Sequence, residues 1–251
     1  MKFETIEVSG WKGALWGLRL PMSKDLDDAK SKSDSFKPYC SELREYVEES
    51  CNYDACGHTC RDKNNHIGKD DLRIAQNLIK ADDKVGVCQP NSKFLQMIEV
   101  WVSIEAPLAF WKEADTYRHT VKNSTSTMHK IQSCPITKNC FEPNPITGKC
   151  SVLKETIDYL EGLRQKYNET KDKSIWYDLI YNLPDSWLQT RMFHTSYATL
   201  RNMVTWRINH KQQCWSGKDN HNMQSFIAWA KTLPYADELI FYNDTEESIQ
   251  G

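Results

Sequence analysis

The sequence lacks the features of exported proteins and of membrane-spanning proteins. Its first residues, MKFETIEVSGWKG, contain no basic region followed by an apolar run, so they do not predict a signal peptide. Its longest apolar stretches, such as the segment from Ile98 to Leu108, are interrupted by charged and polar residues. They fall far short of the roughly 20 apolar residues that a membrane helix needs. These absences predict a soluble protein of the cytoplasm.

The chain also lacks an excess of charge of one sign. It contains 32 Lys and Arg residues against 34 Asp and Glu residues, which gives a formal net charge of -2. This balance argues against a disordered polyelectrolyte and against a protein that coats nucleic acid polymers. At this length a single core buries roughly three quarters of the surface of the unfolded chain. We therefore expect one domain over residues 1–251 that needs no disulfide scaffold.

Cysteine is present in an odd number, nine, and without an export signal the thiols are expected to be reduced. Several cysteines and histidines crowd a segment that we interpret as an insertion at about residues 38–68, namely Cys51, Cys56, His58, Cys60 and His66. Thiolates and imidazoles form tetrahedral zinc sites, but the spacing C-x4-C-x3-C is not a standard zinc knuckle. Two interpretations stay open: a zinc site at Cys51, Cys56 and Cys60, or an insertion with free thiols.

A second group of cysteines, Cys134, Cys140 and Cys150, lies in a loop rich in Pro and Asn. For this group, turns and packing are the expected roles. The polar run 23–37 predicts a loop, either mobile or facing a phosphate, and the segment SELREYVEES has helical periodicity.

Hydrophobic periodicity predicts a succession of helix, strand and helix in the middle of the chain. The segment DDLRIAQNLIKA places apolar residues on one helical face behind an acidic start. Apolar residues then alternate with polar ones from Ile98 to Ile104, as in a half-buried strand that Pro107 ends. LAFWKEADTYRH reads as the next helix. This order is typical of an α/β protein.

Further helices are predicted in the second half, in VLKETIDYLEGLRQKYNET, in WYDLIYNLP, and in MQSFIAWAKTLP, where Pro234 ends the helix. A long helix is expected from about Tyr197, with Leu200, Val204 and Ile208 on its core side.

Two stretches resemble the flavin-dependent thymidylate synthase family. The first, IEVWVSIEAPLAFWKEADTYRHTVKNSTSTMHK, is similar to a strand, a proline, a helix and the family signature Arg-His-Arg-x-x-Ser-x-Asn-Glu-x-Ser-x-Arg. Laid without gaps, the signature falls on residues 116–128, where Arg118, Asn123 and Ser126 match. The signature is altered at five positions, where this chain has Thr116, Tyr117, Val121, Ser124 and Met128.

The second stretch, LPDSWLQTRMFHTSYATLRNMVTWRINHKQQCW, resembles a family segment with Thr-Arg-Phe, a helix carrying Asn and Leu-Arg, and then Gln before Trp. Trp206 replaces the Leu, and Cys214 separates Gln213 from Trp215. The matching residues are Thr190, Arg191, Phe193, Asn202, Arg207 and Gln213. Together the two stretches extend the resemblance over roughly residues 70–235, as expected for a diverged member with an altered signature.

The resemblance implies an α/β (α+β) fold with a central antiparallel or mixed sheet and flanking helices. It implies methylation of dUMP to dTMP with FAD as cofactor, NADPH and methylene-folate as cosubstrates, and a homotetramer with sites between subunits. In the family, the arginine matching Arg207 approaches the uracil and the asparagine matching Asn202 approaches the flavin. Arg207 is therefore the expected catalytic residue, and Asn123, Asn202 and Tyr117 are the expected cofactor contacts.

Chemistry of the residues points to a nucleotide as well. The planar guanidinium fork binds phosphate bidentately and stays charged, and hydroxyls add further donors. The expected substrate-binding residues are Arg118, Ser124, Ser126, Arg191, Arg201, Arg207 and Gln213. The segment KNSTSTMHK is either a phosphate cradle or a polar turn.

Alternative interpretations remain for several of these residues. Arg191 and Arg201 can instead solvate helix faces. Tyr117 or Trp111 can replace the lost Arg-His pair by stacking on the flavin, and His119 and His129 are either proton carriers or hydrogen-bond partners. At the level of function, the alternatives are a protein that kept the fold and binds a nucleotide or a partner without the flavin, transfer of another one-carbon group to uracil or cytosine, and a zinc-stabilised interaction module.

Overall fold

The structure is a computed structural model that describes residues 1–36, 39–40, 45–46, 67–85, 90–218 and 225–243. The chain forms two compact units. The first unit consists of residues 1–7, 100–195 and 202–232, and the second consists of residues 8–99, 196–201 and 233–251. The expectation of one domain over the whole chain stays a prediction.

A four-stranded antiparallel sheet with flanking helices confirms the predicted fold class. Its strand order is β1-β4-β6-β5, and a separate two-stranded antiparallel ribbon joins β2 to β3. The strands are β1 (Lys2–Ser9), β2 (Tyr39–Cys40), β3 (Glu45–Tyr46), β4 (Glu99–Pro107), β5 (Val121–Ser124) and β6 (Leu188–Ser196). Strand β5 lies at an edge of the sheet, so one of its sides is not covered by a strand of this sheet.

The α-helices in the described ranges are α1 (Trp11–Arg19), α2 (Leu26–Lys32), α3 (Lys69–Val85), α4 (Leu108–Ala114), α5 (Thr127–Lys130), α6 (Lys154–Thr170), α7 (Lys173–Tyr181), α8 (Tyr197–Arg207), α9 (Gln213–Ser216) and α10 (Phe226–Ala230). Short 3-10 helices cover Leu20–Met22, Lys93–Met97, Ile131–Ser133 and Lys138–Cys140, and a π-helix covers Ala236–Ile240. Among the helices of these ranges, none combines the length and the apolar character that crossing a bilayer requires.

The core of the first unit is built from aromatic side chains. Phe110 stacks on Trp215 with ring centroids 4.2 Å apart, and Trp215 meets Phe226 at 5.2 Å. Phe3 of β1 stacks on Trp229 at 5.3 Å. Aromatic pairs in such offset or edge-on arrangements add about 0.5–1.5 kcal/mol each beyond the burial of their area. These contacts hold α4, α9 and α10 together with β1.

A buried carboxylate organises the start of the second unit. Asp71 of α3 has no exposed surface and accepts hydrogen bonds from the hydroxyls of Ser33 and Ser35, from the Ser35 backbone N–H, and from Arg19 Nε. A buried charge is tolerated only when it is paired and hydrogen-bonded, and these donors meet that need. They join the end of α1 and the residues after α2 to α3.

Several predicted elements are confirmed. Helix α3 covers the segment DDLRIAQNLIKA, and β4 buries Val100, Val102 and Ile104 while its alternate residues are half-buried. Helices α6 and α7 lie where the second-half periodicity placed them, and α8 begins at Tyr197 as expected. Cys134, Cys140 and Cys150 are free thiols, and the last two pack against a small core around Ile131, Leu160 and Leu179.

Several local expectations are wrong, among them that Pro234 ends the last predicted helix, since α10 ends at Ala230. The polar run 23–37 contains helix α2, because the Asp25 carboxylate accepts the Asp28 backbone N–H at 2.9 Å and so caps it, and Ala29 gives it a buried contact. Glu45 and Tyr46 form a strand where helical periodicity was expected. Ile208 lies beyond the end of α8 and is 38% exposed, so only Leu200 and Val204 of that triplet face the core. The candidate zinc ligands Cys51, Cys56 and Cys60 lie outside the described residues.

Gly10 fixes the turn between β1 and α1. Its φ is +88°, and a Cβ placed there would lie 1.9 Å from the carbonyl oxygen of Met97. We expect Gly10→Ala to lower the free energy of unfolding by at least about 2 kcal/mol, because both the left-handed backbone and the contact with main chain oppose a side chain. Urea denaturation followed by circular dichroism measures the change.

Gly148 is the matched control for this substitution. Its φ is +67°, but nothing lies within 4 Å of an added Cβ, so Gly148→Ala bears only the conformational cost of roughly 1 kcal/mol. Equal effects of the two substitutions would show that the approach to Met97 does not matter.

Candidate functional site

The end of α4 and the turn after it collect most of the residues expected to bind a nucleotide. Helix α4 ends at Ala114, and the turn that follows carries Tyr117 and Arg118 into β5. Strand β5 pairs antiparallel with β6, with Ser124 opposite Arg191 and Asn123 opposite Met192. The first unit therefore brings two of the resemblance segments side by side, although they are far apart in the sequence.

Arg207, the expected catalytic residue, is tied to this region by four contacts. Its Nη1 donates to Glu113 Oε2 at 2.6 Å, and its Nε donates to the Tyr117 hydroxyl at 2.7 Å. Its guanidinium carbon lies 4.5 Å from the centre of the Trp215 ring and 5.3 Å from that of Tyr117. The side chain is 13% exposed. Two of its three nitrogens are thus engaged by this chain, and its guanidinium packs against the rings of Trp215 and Tyr117.

Tyr117 is held as a neutral phenol in this cluster. Burial raises its pKa above the ordinary value and outweighs the opposite effect of the Arg207 cation. Its ring packs at a tilt against Trp215, with centroids 6.3 Å apart. The expectation that Tyr117 stacks on a flavin is therefore not supported by its position, since its hydroxyl and its ring already have partners.

Arg191, like Arg207, forms an ion pair within the chain, with the carboxylate of Asp115. Both oxygens of Asp115 accept from Arg191 Nη1 at 3.1 Å, and Gln189 Oε1 accepts from Arg191 Nε at 3.0 Å. Its guanidinium lies 4.4 Å over the Trp111 ring. Lys122 also approaches Asp115, at 3.2 Å. The carboxylate thus bridges a cation of β5 and a cation of β6.

Trp111 is a core residue. It is 1% exposed, and its indole nitrogen donates to the carbonyls of Ala106 and Gln189 at 3.1 and 3.0 Å. It is not available to stack on a flavin, in contrast to the expectation from its sequence position.

The residues with exposed polar groups are those of the turn and of the edge strand. Arg118, Asn123 and Ser124 are exposed, and in the part of the chain that the structure describes the Arg118 guanidinium meets no carboxylate. Ser126 is half-buried and its hydroxyl accepts the His129 backbone N–H at 3.1 Å, which caps α5. The His129 imidazole takes no part in this cap, and its role as proton carrier or hydrogen-bond partner stays a prediction. The segment KNSTSTMHK is a strand followed by a capped helical turn.

Three other predicted site residues make different contacts, namely Arg201, Asn202 and Gln213. Arg201 belongs to the second unit, where Nη1 donates to the carbonyls of Leu239, Ile240 and Tyr242 and Nη2 to Asp83 at 2.6 Å. It holds the C-terminal end of the π-helix. Asn202 is exposed on α8, and Gln213 begins α9, where its amide donates to the Lys211 carbonyl at 3.4 Å.

Sequence reasoning missed the acidic partners of the arginines. Glu113 and Asp115 lie two positions apart at the end of α4, and one pairs with Arg207 and the other with Arg191. Trp215, the other main contact of Arg207, was expected only as part of a family pattern. The helical periodicity of LAFWKEAD gives no sign of these pairs, because the partners lie 94 and 76 residues away.

Neither a reactive thiol nor a metal cluster is found near the arginines. Burial raises the pKa of Cys214 to about 12, so this thiol stays protonated at neutral pH. Within the described ranges, His, Cys, Asp and Glu side chains form no group of three suited to a metal ion.

The ion pair of Arg207 gives a testable expectation for stability. Arg207→Ala leaves the Glu113 carboxylate without its cation, so we expect a loss of about 1–3 kcal/mol in the free energy of unfolding. Adding Glu113→Gln should recover part of the loss, because the unpaired charge is removed. Urea denaturation of the two single variants and the double variant measures the coupling.

Arg73→Ala is the control, since Arg73 pairs with Asp70 on the surface and both side chains are about two thirds exposed. Its effect should stay within about 0.5 kcal/mol. A loss in Arg207→Ala no larger than that of Arg73→Ala would contradict a structural role of the pair.

Comparison with solved structures identifies proteins of similar fold. The crystal structure of thymidylate synthase X from Helicobacter pylori with FAD and dUMP aligns with a TM-score of 0.59 and 14% identity, over 100% of both chains. A second structure of the flavin-dependent thymidylate synthase of that organism, complexed with FAD and dUMP, gives 0.58 and 13%, over 95% of this chain and 98% of the other.

A third similar structure is the UMP/dUMP methylase PolB from Streptomyces cacaoi bound with 5-Br dUMP. It aligns with a TM-score of 0.52 and 12% identity, over 96% of this chain and 94% of that chain. No protein-family model matches the chain. No curated protein matches it in sequence either. The sequence resemblance is thus supported as a likeness of fold, which extends along nearly the whole chain.

Proposed function

We propose that the protein binds a pyrimidine deoxynucleotide monophosphate and methylates its ring, as a relative of the flavin-dependent thymidylate synthases that converts dUMP to dTMP. The observation that carries this proposal is the full-length likeness of fold to proteins that were solved with dUMP or 5-Br dUMP. The residues matching the family segments add support, since Ser124 lies opposite Arg191 in the β5–β6 pair and Asn123 lies next to Ser124 in β5.

Among the arginines of the candidate site, we expect Arg118 to bind the nucleotide phosphate. This guanidinium is exposed and meets no carboxylate in the described part of the chain, so it binds an anion without first breaking an ion pair. The Ser124 hydroxyl, exposed on the edge strand opposite Arg191, is a further neutral donor. Arg207 contributes to the uracil through Nη2, because its Nε and Nη1 are engaged. Arg191 acts through Asp115, as a positioning residue for β5.

In this proposal, fewer residues contact FAD than the family signature implies. Asn123 and Asn202 have exposed amides that can donate to a flavin or accept from it, whereas Tyr117 is held by Arg207 and Trp215. The bound flavin supplies hydride transfer, and the protein supplies binding and orientation. NADPH, a methylene-folate donor and a homotetramer with sites between subunits belong to the same proposal.

A second candidate function is nucleotide or partner binding without the flavin. The specific observation in its favour is that Tyr117 is engaged within the chain, while Glu113, Asp115 and Asp83 neutralise the three arginines of β6 and α8. An incoming phosphate must compete with these carboxylates. Pairing of these three arginines within the chain and loss of the Arg-His pair are what a retained fold with a lost cofactor site would show.

The flavin is the sharpest difference between the two candidates. We expect the purified full-length chain, after incubation with FAD and gel filtration, to be yellow, with absorbance near about 450 nm that comigrates with the protein. The reason is that methylation of dUMP by a flavin-dependent reaction requires bound FAD. A colourless protein that retains no added FAD, while it still binds dUMP, would favour the second candidate.

Binding of dUMP tests the nucleotide part alone. Isothermal titration should show that Arg118→Ala weakens dUMP binding at least about tenfold, because a charge-assisted hydrogen bond to phosphate contributes about 1.5–3 kcal/mol. The melting temperature should not change, since Arg118 is exposed. Arg73→Ala, an exposed arginine of the second unit, is the matched control and should bind as tightly as the unaltered protein. Equal affinity of Arg118→Ala and the control would remove Arg118 from the site.

A further inference from the structure

A cavity of about 360 Å³ lies in the first unit, apart from the arginines described above. It is formed where the residues around α5 meet the end of α6 and the start of α7. The side chains on which the argument rests are His129, Tyr167, Lys173, Trp176 and Tyr177. Three of these five are aromatic and one is a permanent cation at neutral pH.

The aromatic walls are fixed in position. Trp176 donates its indole N–H to the Met128 carbonyl at 3.1 Å, which ties α7 to the residues of α5. Tyr177 meets Trp176 edge to face, with centroids 4.9 Å apart and planes at 77°. On the opposite side of α7, Leu179 is fully buried in the small core with Leu160 and Ile131. A ligand ring therefore meets preset surfaces and does not need to order them.

The cavity lining contains one lysine, Lys173. Lys173 forms no ion pair within the described residues, in contrast to Arg191, Arg201 and Arg207. It is exposed at the first turn of α7. Lys171 places its ammonium 5.4 Å from the centre of the Tyr167 ring, and His129 adds an imidazole to the lining. The cavity thus offers stacking surfaces beside a cation with no acidic partner.

The size of the cavity limits what it can hold. A volume of about 360 Å³ is at the lower end of the range of small-molecule sites, which run from about 300 to 1,000 Å³. A dinucleotide is too large for such a volume, and an isolated inorganic anion would leave the aromatic walls unused.

We propose that this cavity binds a ligand that consists of one aromatic ring and one anionic group, either a carboxylate or a phosphate. The ring lies against Trp176 and Tyr177, and the anionic group meets Lys173. The site shares no residue with the set assigned to the nucleotide phosphate, so this inference does not depend on the proposed function.

Fluorine NMR of the full chain labelled with 5-fluorotryptophan tests the proposal. The Trp176 resonance is assigned by its absence in Trp176→Phe, and the signals of the other eight tryptophans report on the remainder of the chain. The two probes are phenyl phosphate and benzoate, so that a site for a phosphate can be distinguished from a site for a carboxylate. We expect a saturable shift of the Trp176 signal with at least one of them. Inorganic phosphate and benzyl alcohol, which each lack one half of the ligand, should give none.

The variant Lys173→Ala should weaken the binding of the effective probe by roughly fivefold, as loss of one exposed charge contact implies. Lys154→Ala is the matched control, because Lys154 is an exposed lysine at the opposite end of α6, about 20 Å from Tyr167 along the helix. Arg118→Ala should also leave the affinity unchanged, which separates this cavity from the nucleotide site.

Two outcomes would overturn the proposal. One is the absence of a saturable Trp176 shift with either probe up to millimolar concentration. The other is a shift that saturates at the same concentration in Lys173→Ala as in the unaltered protein, which would mean that the cation takes no part in binding.

Discussion

The ion pair between Glu113 and Arg207 is the interaction on which the candidate site depends. Glu113 and Asp115 occupy the C-terminal end of α4, where the helix dipole disfavours negative charge by about 0.3–1 kcal/mol for each group. Cations beside the two acidic residues offset this cost, and Arg207 and Arg191 supply them. The helix end, the last turn of α8 and strand β6 are thus fixed to one another by charge as well as by the aromatic core.

This arrangement changes what the arginines can do. Arginine at a match to a family position implies a ligand contact, but the electrostatics of the contact depend on what else the guanidinium meets. Arg207 packs against two aromatic rings and donates to a carboxylate and a phenol, so much of its binding capacity is used within the chain. A phosphate gains from such a group only the difference between the new contact and the pair that it replaces. Arg118, which has no acidic partner among the described residues, offers the larger gain.

Helices and strands could be predicted from the sequence where the hydrophobic periodicity was long and uninterrupted. The alternation along β4 and the amphipathic pattern of α6 are of this kind, since one face of each is buried and selects apolar residues. Helix α2 was missed because its stability comes from the Asp25 cap and an acidic first turn, with only Ala29 buried. Strand β6 was not recognised as a strand because its first five residues are not fully buried, and its pairing with β5 is non-local.

The candidate site could be predicted only in part for a related reason. The family resemblance groups Arg191, Arg207 and the segment 123–126, and the β5–β6 register places part of this set side by side. Residue types and spacing cannot identify which carboxylate reaches which arginine, because Glu113 and Arg207 are 94 residues apart and the pairing is decided by packing of α4 against Trp215. Arg201 shows this limit. Although it precedes Asn202 in α8, it donates hydrogen bonds to carbonyls at the end of the π-helix.

The two surfaces of the first unit that carry cations differ in one physical respect, and this difference orders their chemistry. Around the end of α4, Arg191 and Arg207 are paired with carboxylates, whereas Arg118 has no acidic partner among the described residues, so an anion that binds there gains most from Arg118. At the start of α7, Lys173 forms no ion pair among the described residues and Trp176 is tied to α5, so an anion that meets Lys173 has no ion pair to break. The two surfaces thus differ in how many of their cations are already paired, and this sets how much an incoming anion gains at each.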